Sequence, residues 1–371
     1  MRVFGPKELS KDVLGRDLCI GCGACMELCP YFRSHRGKTV MLFPCTLPEG
    51  KCHAYCPKVE VNLDDLSIKF FETTYEGTPL GAYSYVKTAR AGEEVGNGNF
   101  QAGGTVSALM SFALKKGYLD SAVLTDRKGI LPVPRLVTNP EDVLKCSSSK
   151  YTAAPTLLAC NQAIKEGYKR IGVVATPCQI LALAQMRSNP LEEKDFTDPV
   201  GLVVGLFCTW ALDFRAFEAF IAERIDVDKI TKLDIPPPPA EIMKVFTGDE
   251  KIEISLDEIR QLVPDTCSYC IDMTSEFSDI SVGVLEGRPD MNTLIIRTER
   301  GQNIIDEAQE EGYLIVDEIP EENLEHLIWA AGNKKKKALL KGKQDGLLNM
   351  NELDKGAYLR VNAKMLEKII A

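Results

Sequence analysis

No run in the 371-residue chain reaches the roughly 18 consecutive apolar residues that a membrane-spanning helix needs. The uncharged stretch Val200 to Leu212 has 13 residues and stops at Asp213, so it reads as a buried strand. Positive charge is not in excess. Against 44 Lys and Arg stand 53 Asp and Glu, a net charge of −9 that argues against nucleic acid as the main partner. Histidine is scarce: His35, His53 and His326 are the only three, which gives poor support to histidine acid–base chemistry or a Ser-His-Asp arrangement. The first fifteen residues, MRVFGPKELSKDVLG, have no apolar stretch of the signal-peptide kind. The expectation is a soluble, cytoplasmic protein with no membrane span.

The remaining composition is ordinary. An apolar share of 45% and a charged share of 26% exclude a wholly disordered, collagen-like or coiled-coil chain. The length leaves room for two or three domains. Cysteine is the exception, with thirteen in the chain. An odd number of thiols kept reduced in a cytosol does not make a disulfide framework.

Seven of the thirteen fall between positions 19 and 56. The first four read Cys19-Ile-Gly-Cys22-Gly-Ala-Cys25-Met-Glu-Leu-Cys29-Pro30, the C-x2-C-x2-C-x3-C-P run of bacterial ferredoxins. This spacing wraps three thiolates around one 4Fe-4S cube, and Gly21 and Gly23 let backbone N–H groups approach its sulfides. A zinc site usually uses two separated C-x2-C pairs. The second half, Cys45-Thr-Leu-Pro-Glu-Gly-Lys-Cys52-His-Ala-Tyr-Cys56-Pro57, is one cysteine short of a second run. Crossed ligation assigns Cys19, Cys22, Cys25 and Cys56 to one cluster. It leaves Cys29, Cys45 and Cys52 for another. The fourth ligand there is open between His53 and a residue from elsewhere. A three-iron cluster, or no cluster, is open as well, and His53 is also read as a solvated loop residue.

Residues 60–85 read as a linker, punctuated by Gly77, Pro79 and Gly81. Beyond them, Val106–Leu114 and Ala153–Glu166 carry helical patterns, and residues 119–124, Ile171–Ala175 and 200–207 read as strands. Strands alternating with helices predict an α/β core with a mainly parallel sheet. Cys178 follows one strand and Cys208 ends another, the end of an open α/β sheet where ligands bind. Cys267-Ser-Tyr-Cys270 adds a C-x2-C pair. The four either converge on one centre or are ordinary buried thiols. Cys146 and Cys160 have no partner spacing and read as structural. The glycine-rich Gly96–Thr105 feeds a helix start, as does Ser147–Thr152; each is read as a phosphate cradle or as a turn with a helix cap.

Taken in order, Gln101–Leu109, Ser149-Lys150-Tyr151, Thr176-Pro177-Cys178-Gln179, Gly205–Cys208, Cys267–Asp272, Phe277–Gly283 and Leu294–Thr298 resemble the beta-subunit family of coenzyme F420 hydrogenases and dehydrogenases. The N-terminal cysteine arrangement most resembles the F420H2 dehydrogenase input subunit, and the core is also similar to formate dehydrogenase beta subunits. The resemblance covers roughly residues 10 to 310. It implies one FAD, contacted by Gly103, Gly104, Thr105, Ser149, Lys150, Tyr151, Thr176 and Gln179. It also implies a cluster on Cys178, Cys208, Cys267 and Cys270, for two or three clusters in all. The expected organisation is a ferredoxin-like iron–sulfur domain over 1–66, a flavin-binding core over 67–330 and a C-terminal tail over 331–371. The tail has no counterpart, and its Lys334–Lys337 run reads as a solvated helix start or a surface for a partner.

The implied chemistry is coherent. Coenzyme F420, the implied substrate, carries electrons in pairs as hydride, and clusters carry them singly. A flavin converts between the two. The implied partners are catalytic or electron-transfer subunits of a larger redox complex. Two rival readings stand beside this one: a reductase of the same family acting on another substrate, and an electron-transfer adaptor without a substrate of its own.

Overall fold

Runs of β-branched and small apolar residues build an eight-stranded sheet. In the computed structural model, which describes residues 3–349 and 359–370 apart from 97, 99, 190, 192, 237–239 and 249, its strands are β1 (Tyr85–Ala91), β2 (Ser121–Lys128), β3 (Leu131–Val137), β4 (Ile171–Ala175), β5 (Val200–Leu206), β6 (Ile280–Leu285), β7 (Arg288–Ile296) and β8 (Leu314–Glu318). Their order is β8-β1-β7-β6-β5-β4-β2-β3. The central pairings β6–β5, β5–β4 and β4–β2 are parallel, as expected. Antiparallel strands extend the sheet on both sides, which the expectation of a mainly parallel sheet did not include. Two of these pairings, β2–β3 and β6–β7, are tight hairpins whose turns contain Gly129 at φ +62° and Gly287 at φ +74°.

The helices used below are α1 (Leu63–Phe71), α2 (Thr105–Lys115), α3 (Thr156–Glu166), α4 (Pro177–Arg187), α5 (Glu299–Glu310) and α6 (Glu321–Gln344). Side chains alternate along the central strands. On β4, Ile171, Val173 and Ala175 join the core formed with α3 and α4, whereas Val174 joins the core formed with α2 and α5. Both faces are covered, so these strands are apolar throughout. A smaller three-stranded sheet, Lys232–Asp234, Ile242–Phe246 and Lys251–Ser255, packs with the helix Phe214–Ala222 around Phe217 and Met243.

The N-terminal cysteine run docks on the start of α3. The Leu157 N–H donates to the Cys22 carbonyl at 2.9 Å, and Asn161 Nδ2 donates to the carbonyls of Ala24 and Met26 at 3.1 and 2.8 Å. Gly23, at φ +87°, permits this approach, since a Cβ there would lie 2.7 Å from Leu158 N.

Three readings need correction. The expected linker contains α1, whose first turn is capped by the Asn62 side chain accepting from the N–H groups of Asp64 and Asp65. His53 is 5% exposed rather than solvated. Lys334–Lys337 lie in the middle of α6; Lys335 is buried and only Lys337 of the four is exposed. The C-terminal residues Leu339, Leu359 and Leu366 share a core with Leu63 of α1. Positions 66 and 330, the expected domain boundaries, fall inside α1 and α6. Asn97 and Asn99 of the glycine-rich stretch lie outside the described residues. Among the described residues no helix is long and apolar enough to cross a membrane.

Candidate functional site

Cys178 is the second residue of α4, just beyond the carboxyl end of β4, and Cys208 lies just beyond the carboxyl end of β5. The two strands are parallel neighbours, so both cysteines stand at one edge of the sheet. Cys267 and Cys270 come from a helical turn at Asp265–Tyr269 and its cap. The four lie within electrostatic reach of one another. Burial, followed by the charge of Cys270, pushes the Cys178 thiol up to about 12. Burial also raises Cys208, with Cys178, Cys270 and Cys267 adding to the shift. Burial raises Cys267. Left alone, such thiols resist ionisation; a cationic iron centre reverses that, because thiolates are its ligands. The donor set fits a 4Fe-4S cluster. Among the described residues no three His, Cys, Asp or Glu side chains are arranged to hold a single metal ion.

The same four cysteines line a cavity of about 670 Å³, within the size range of organic cofactor sites. Of the residues implied to touch a flavin, Gly104, Thr105, Ser149, Lys150, Tyr151, Thr176 and Gln179 line it and Gly103 does not. Gly103 instead packs against β1, where a Cβ would lie 2.8 Å from the Ala89 carbonyl oxygen. Gly104 takes φ +77° and starts α2. Thr105, fully buried, leaves its Oγ1 without a hydrogen-bond partner at this helix N-terminus. An unsatisfied hydroxyl beside helix amides suits an anionic phosphate group.

Other residues of this set are already committed. Lys150 Nζ donates to the carbonyls of Cys146, Ser147 and Ser148 at 2.7, 2.9 and 2.9 Å, which uses its three donors. Burial lowers it to about 8. It braces its own loop and contributes charge to the cavity. Gln179 closes a capping box with Thr176, and its Nε2 donates to the Ala154 carbonyl at 2.8 Å. The Tyr151 hydroxyl accepts from the Ile235 N–H at 2.8 Å.

In the N-terminal region, Cys22 is raised by burial, then by Cys25, Cys56 and Cys19. Cys56 is pushed up to about 12, again mainly by burial. These four form one electrostatic group. Burial pushes Cys52 up to about 11, with Cys29 and Cys45 its nearest thiol influences, so those three form a second. Beside them, His53 is lowered by burial to about 4, and its Nδ1 accepts from the Phe4 N–H at 3.4 Å. That bond commits one of the two ring nitrogens of the proposed ligand.

Several site residues escape a reading of sequence alone. Cys19 lines the large cavity as well as belonging to the N-terminal group. Lys58, only 3% exposed, donates to the Thr266 carbonyl at 3.2 Å and lowers Cys56, Cys178 and Cys267 alike. It therefore stands between the two thiol regions. Lys334 of α6 also lines the cavity. No local pattern marks either lysine, because the partners are distant in the chain.

The chain is similar to known proteins. Residues 86–161 match the family model for the N-terminal part of the coenzyme F420 hydrogenase/dehydrogenase beta subunit, and residues 168–322 match the model for its C-terminal part. Residues 13–31 match a 4Fe-4S binding domain. The chain is 30% identical over 308 residues to a coenzyme F420-dependent sulfite reductase of Methanocaldococcus jannaschii, covering 79% of this chain and 46% of the relative. It thus spans about half of that enzyme. It is 29% identical over 331 residues to the F subunit of the F(420)H(2) dehydrogenase of Methanosarcina mazei, covering 83% of this chain and 87% of the relative. A chain of the F420-reducing nickel–iron hydrogenase complex from Methanosarcina barkeri has the same fold, with a TM-score of 0.65 at 23% identity over 75% of this chain and 97% of that one.

Proposed function

Because this chain belongs to the coenzyme F420 hydrogenase/dehydrogenase beta-subunit family, we propose that it is the subunit that exchanges hydride with coenzyme F420 at a bound FAD and passes single electrons through 4Fe-4S clusters to or from a partner complex. The observation that carries this reading is one cavity lined both by the α2 N-terminus, with its unpartnered Thr105 hydroxyl, and by Cys178, Cys208, Cys267 and Cys270. A two-electron cofactor and a one-electron centre placed there are neighbours.

Bound FAD and clusters would supply paired-to-single electron conversion and single-electron conduction. The chain's own groups do the rest. The α2 N-terminus attracts a phosphate through its amides and dipole, and Lys150 adds positive charge. Asn323, Leu327 and Lys334 of α6 line the cavity beside the sheet edge. Cys178, Cys208, Cys267 and Cys270 hold the inner cluster; Cys19, Cys22, Cys25 and Cys56 hold the next. Cys29, Cys45 and Cys52 are the ligands of an outer one. Leu42, Phe43 and Leu47, exposed by 50%, 61% and 63%, surround Cys45 in sequence and offer an apolar surface for the partner.

The test is oxidation of reduced F420 by the anaerobically purified protein, with a viologen dye as one-electron acceptor. The wild type reduces the dye. Cys270→Ser keeps its flavin, which reduced F420 still bleaches, but loses dye reduction. A wild type whose flavin is not bleached by reduced F420 contradicts the assignment of F420 as substrate.

A further inference from the structure

Two successive lysines of α6 turn inward, and they are not paired alike. Lys335 Nζ lies 2.7 Å from Glu276 Oε1, with both side chains at most 3% exposed, an ordinary buried ion pair. Lys334 Nζ donates to two backbone carbonyls, those of Cys208 at 2.6 Å and Asp272 at 2.9 Å. Among the described residues no carboxylate lies within the 4.0 Å of an ion pair to it. The Asp272 carboxylate is turned elsewhere, accepting from the N–H groups of Thr274 and Glu276 at 2.8 Å each. Lys334 instead lines the cavity with Cys208 and Cys270, and Cys270 Sγ shares the Asp272 carbonyl with it, at 3.3 Å. Lys334 is half-buried on the cavity wall, and a charge partly withdrawn from water gains from an opposite charge or further polar partners beside it.

We infer that Lys334 is the counter-ion of the centre held by Cys178, Cys208, Cys267 and Cys270. The inference rests on the reading that these cysteines hold a 4Fe-4S cluster. Four thiolates make that centre an anion, and reduction by one electron, supplied from the flavin site of the same cavity, adds one more negative charge without requiring a proton. A fixed ammonium next to two of the four ligands favours the reduced form more than the oxidised form. Lys334 is thus a positioning and potential-setting residue: it raises the reduction potential of the inner cluster and, through Cys208 and Asp272, ties α6 over the cavity.

The experiment is a redox titration of the anaerobic holoprotein, followed by visible and EPR spectra, with iron and flavin counted per chain. The variants are Lys334→Met, which keeps the stem and deletes the charge, and Lys334→Arg, which keeps the charge. Cys270→Ser identifies the inner cluster by the iron and spectrum it removes; if it removes neither, the cluster reading itself fails. With that cluster identified, Lys334→Met lowers its potential so that its reduction is at least about tenfold less favourable, which is about 59 mV for one electron. The other potentials stay in place, and Lys334→Arg stays near the wild type. Loss of inner-cluster iron in Lys334→Met but not in Lys334→Arg also supports the counter-ion. Unchanged potentials in fully loaded Lys334→Met overturn it, as does equal iron loss in both variants.

Discussion

The Thr266 hydroxyl donates to the Leu18 carbonyl at 2.7 Å, and the Thr266 carbonyl accepts from Lys58 Nζ at 3.2 Å. Leu18 precedes Cys19, Lys58 lies two residues after Cys56, and Thr266 precedes Cys267. One threonine thus joins the two thiol regions through both ends of the N-terminal group. Thr266→Val removes the hydroxyl and leaves a buried carbonyl unpaired, a loss of about 1–3 kcal/mol. Thr266→Ser stays near wild type. Urea denaturation measures both, and equal stability of wild type and Thr266→Val contradicts the junction.

Cys22→Ala removes one ligand of the N-terminal group. Iron falls by about four per chain, electron transfer to the partner stops, and flavin per chain is unchanged. Metal analysis beside flavin extraction reads the outcome. Flavin lost along with the iron contradicts separate sites.

The Lys335–Glu276 pair is buried, and the Tyr75 hydroxyl donates to Glu276 Oε2 at 2.9 Å. Removing one partner leaves an uncompensated charge, so Lys335→Met destabilises by about 3–5 kcal/mol. Lys335→Met combined with Glu276→Gln recovers part of that. Denaturant midpoints of the single and double variants decide; additive losses contradict coupling.

The strand runs, the cysteines at strand ends and the ferredoxin spacing were legible because each is a local pattern. What escaped was either long-range or carried by a weak local signal. Four consecutive lysines look like a solvated face, yet the helical turn of about 100° per residue points Lys334 and Lys335 inward while Lys337 stays in water. α1 was hidden by its mixed polarity, although Asn62 followed by Asp64 and Asp65 is a helix-start signal. The antiparallel flanks were signalled only by Gly129 and Gly287 in short turns. Lys58 and Thr266 meet across 208 residues, which no spacing rule reaches.

Burial lowers Lys150 from 10.5 to about 8. Between those values the unfolded chain binds more protons than the folded one, so stability owed to this group rises with pH across that window and is least below 8. Lys150→Met removes the dependence. Unfolding measured from about pH 7 to about pH 10.5 shows the wild type gaining on the variant as pH rises. A constant or shrinking difference contradicts the buried ammonium.

Counting iron, sulfide and flavin in one anaerobic preparation tests the account most directly. Clusters on the grouped cysteines and a flavin in the shared cavity predict roughly eight to twelve irons, matching sulfide and one FAD per chain. A folded, colourless protein with neither iron nor flavin would contradict it.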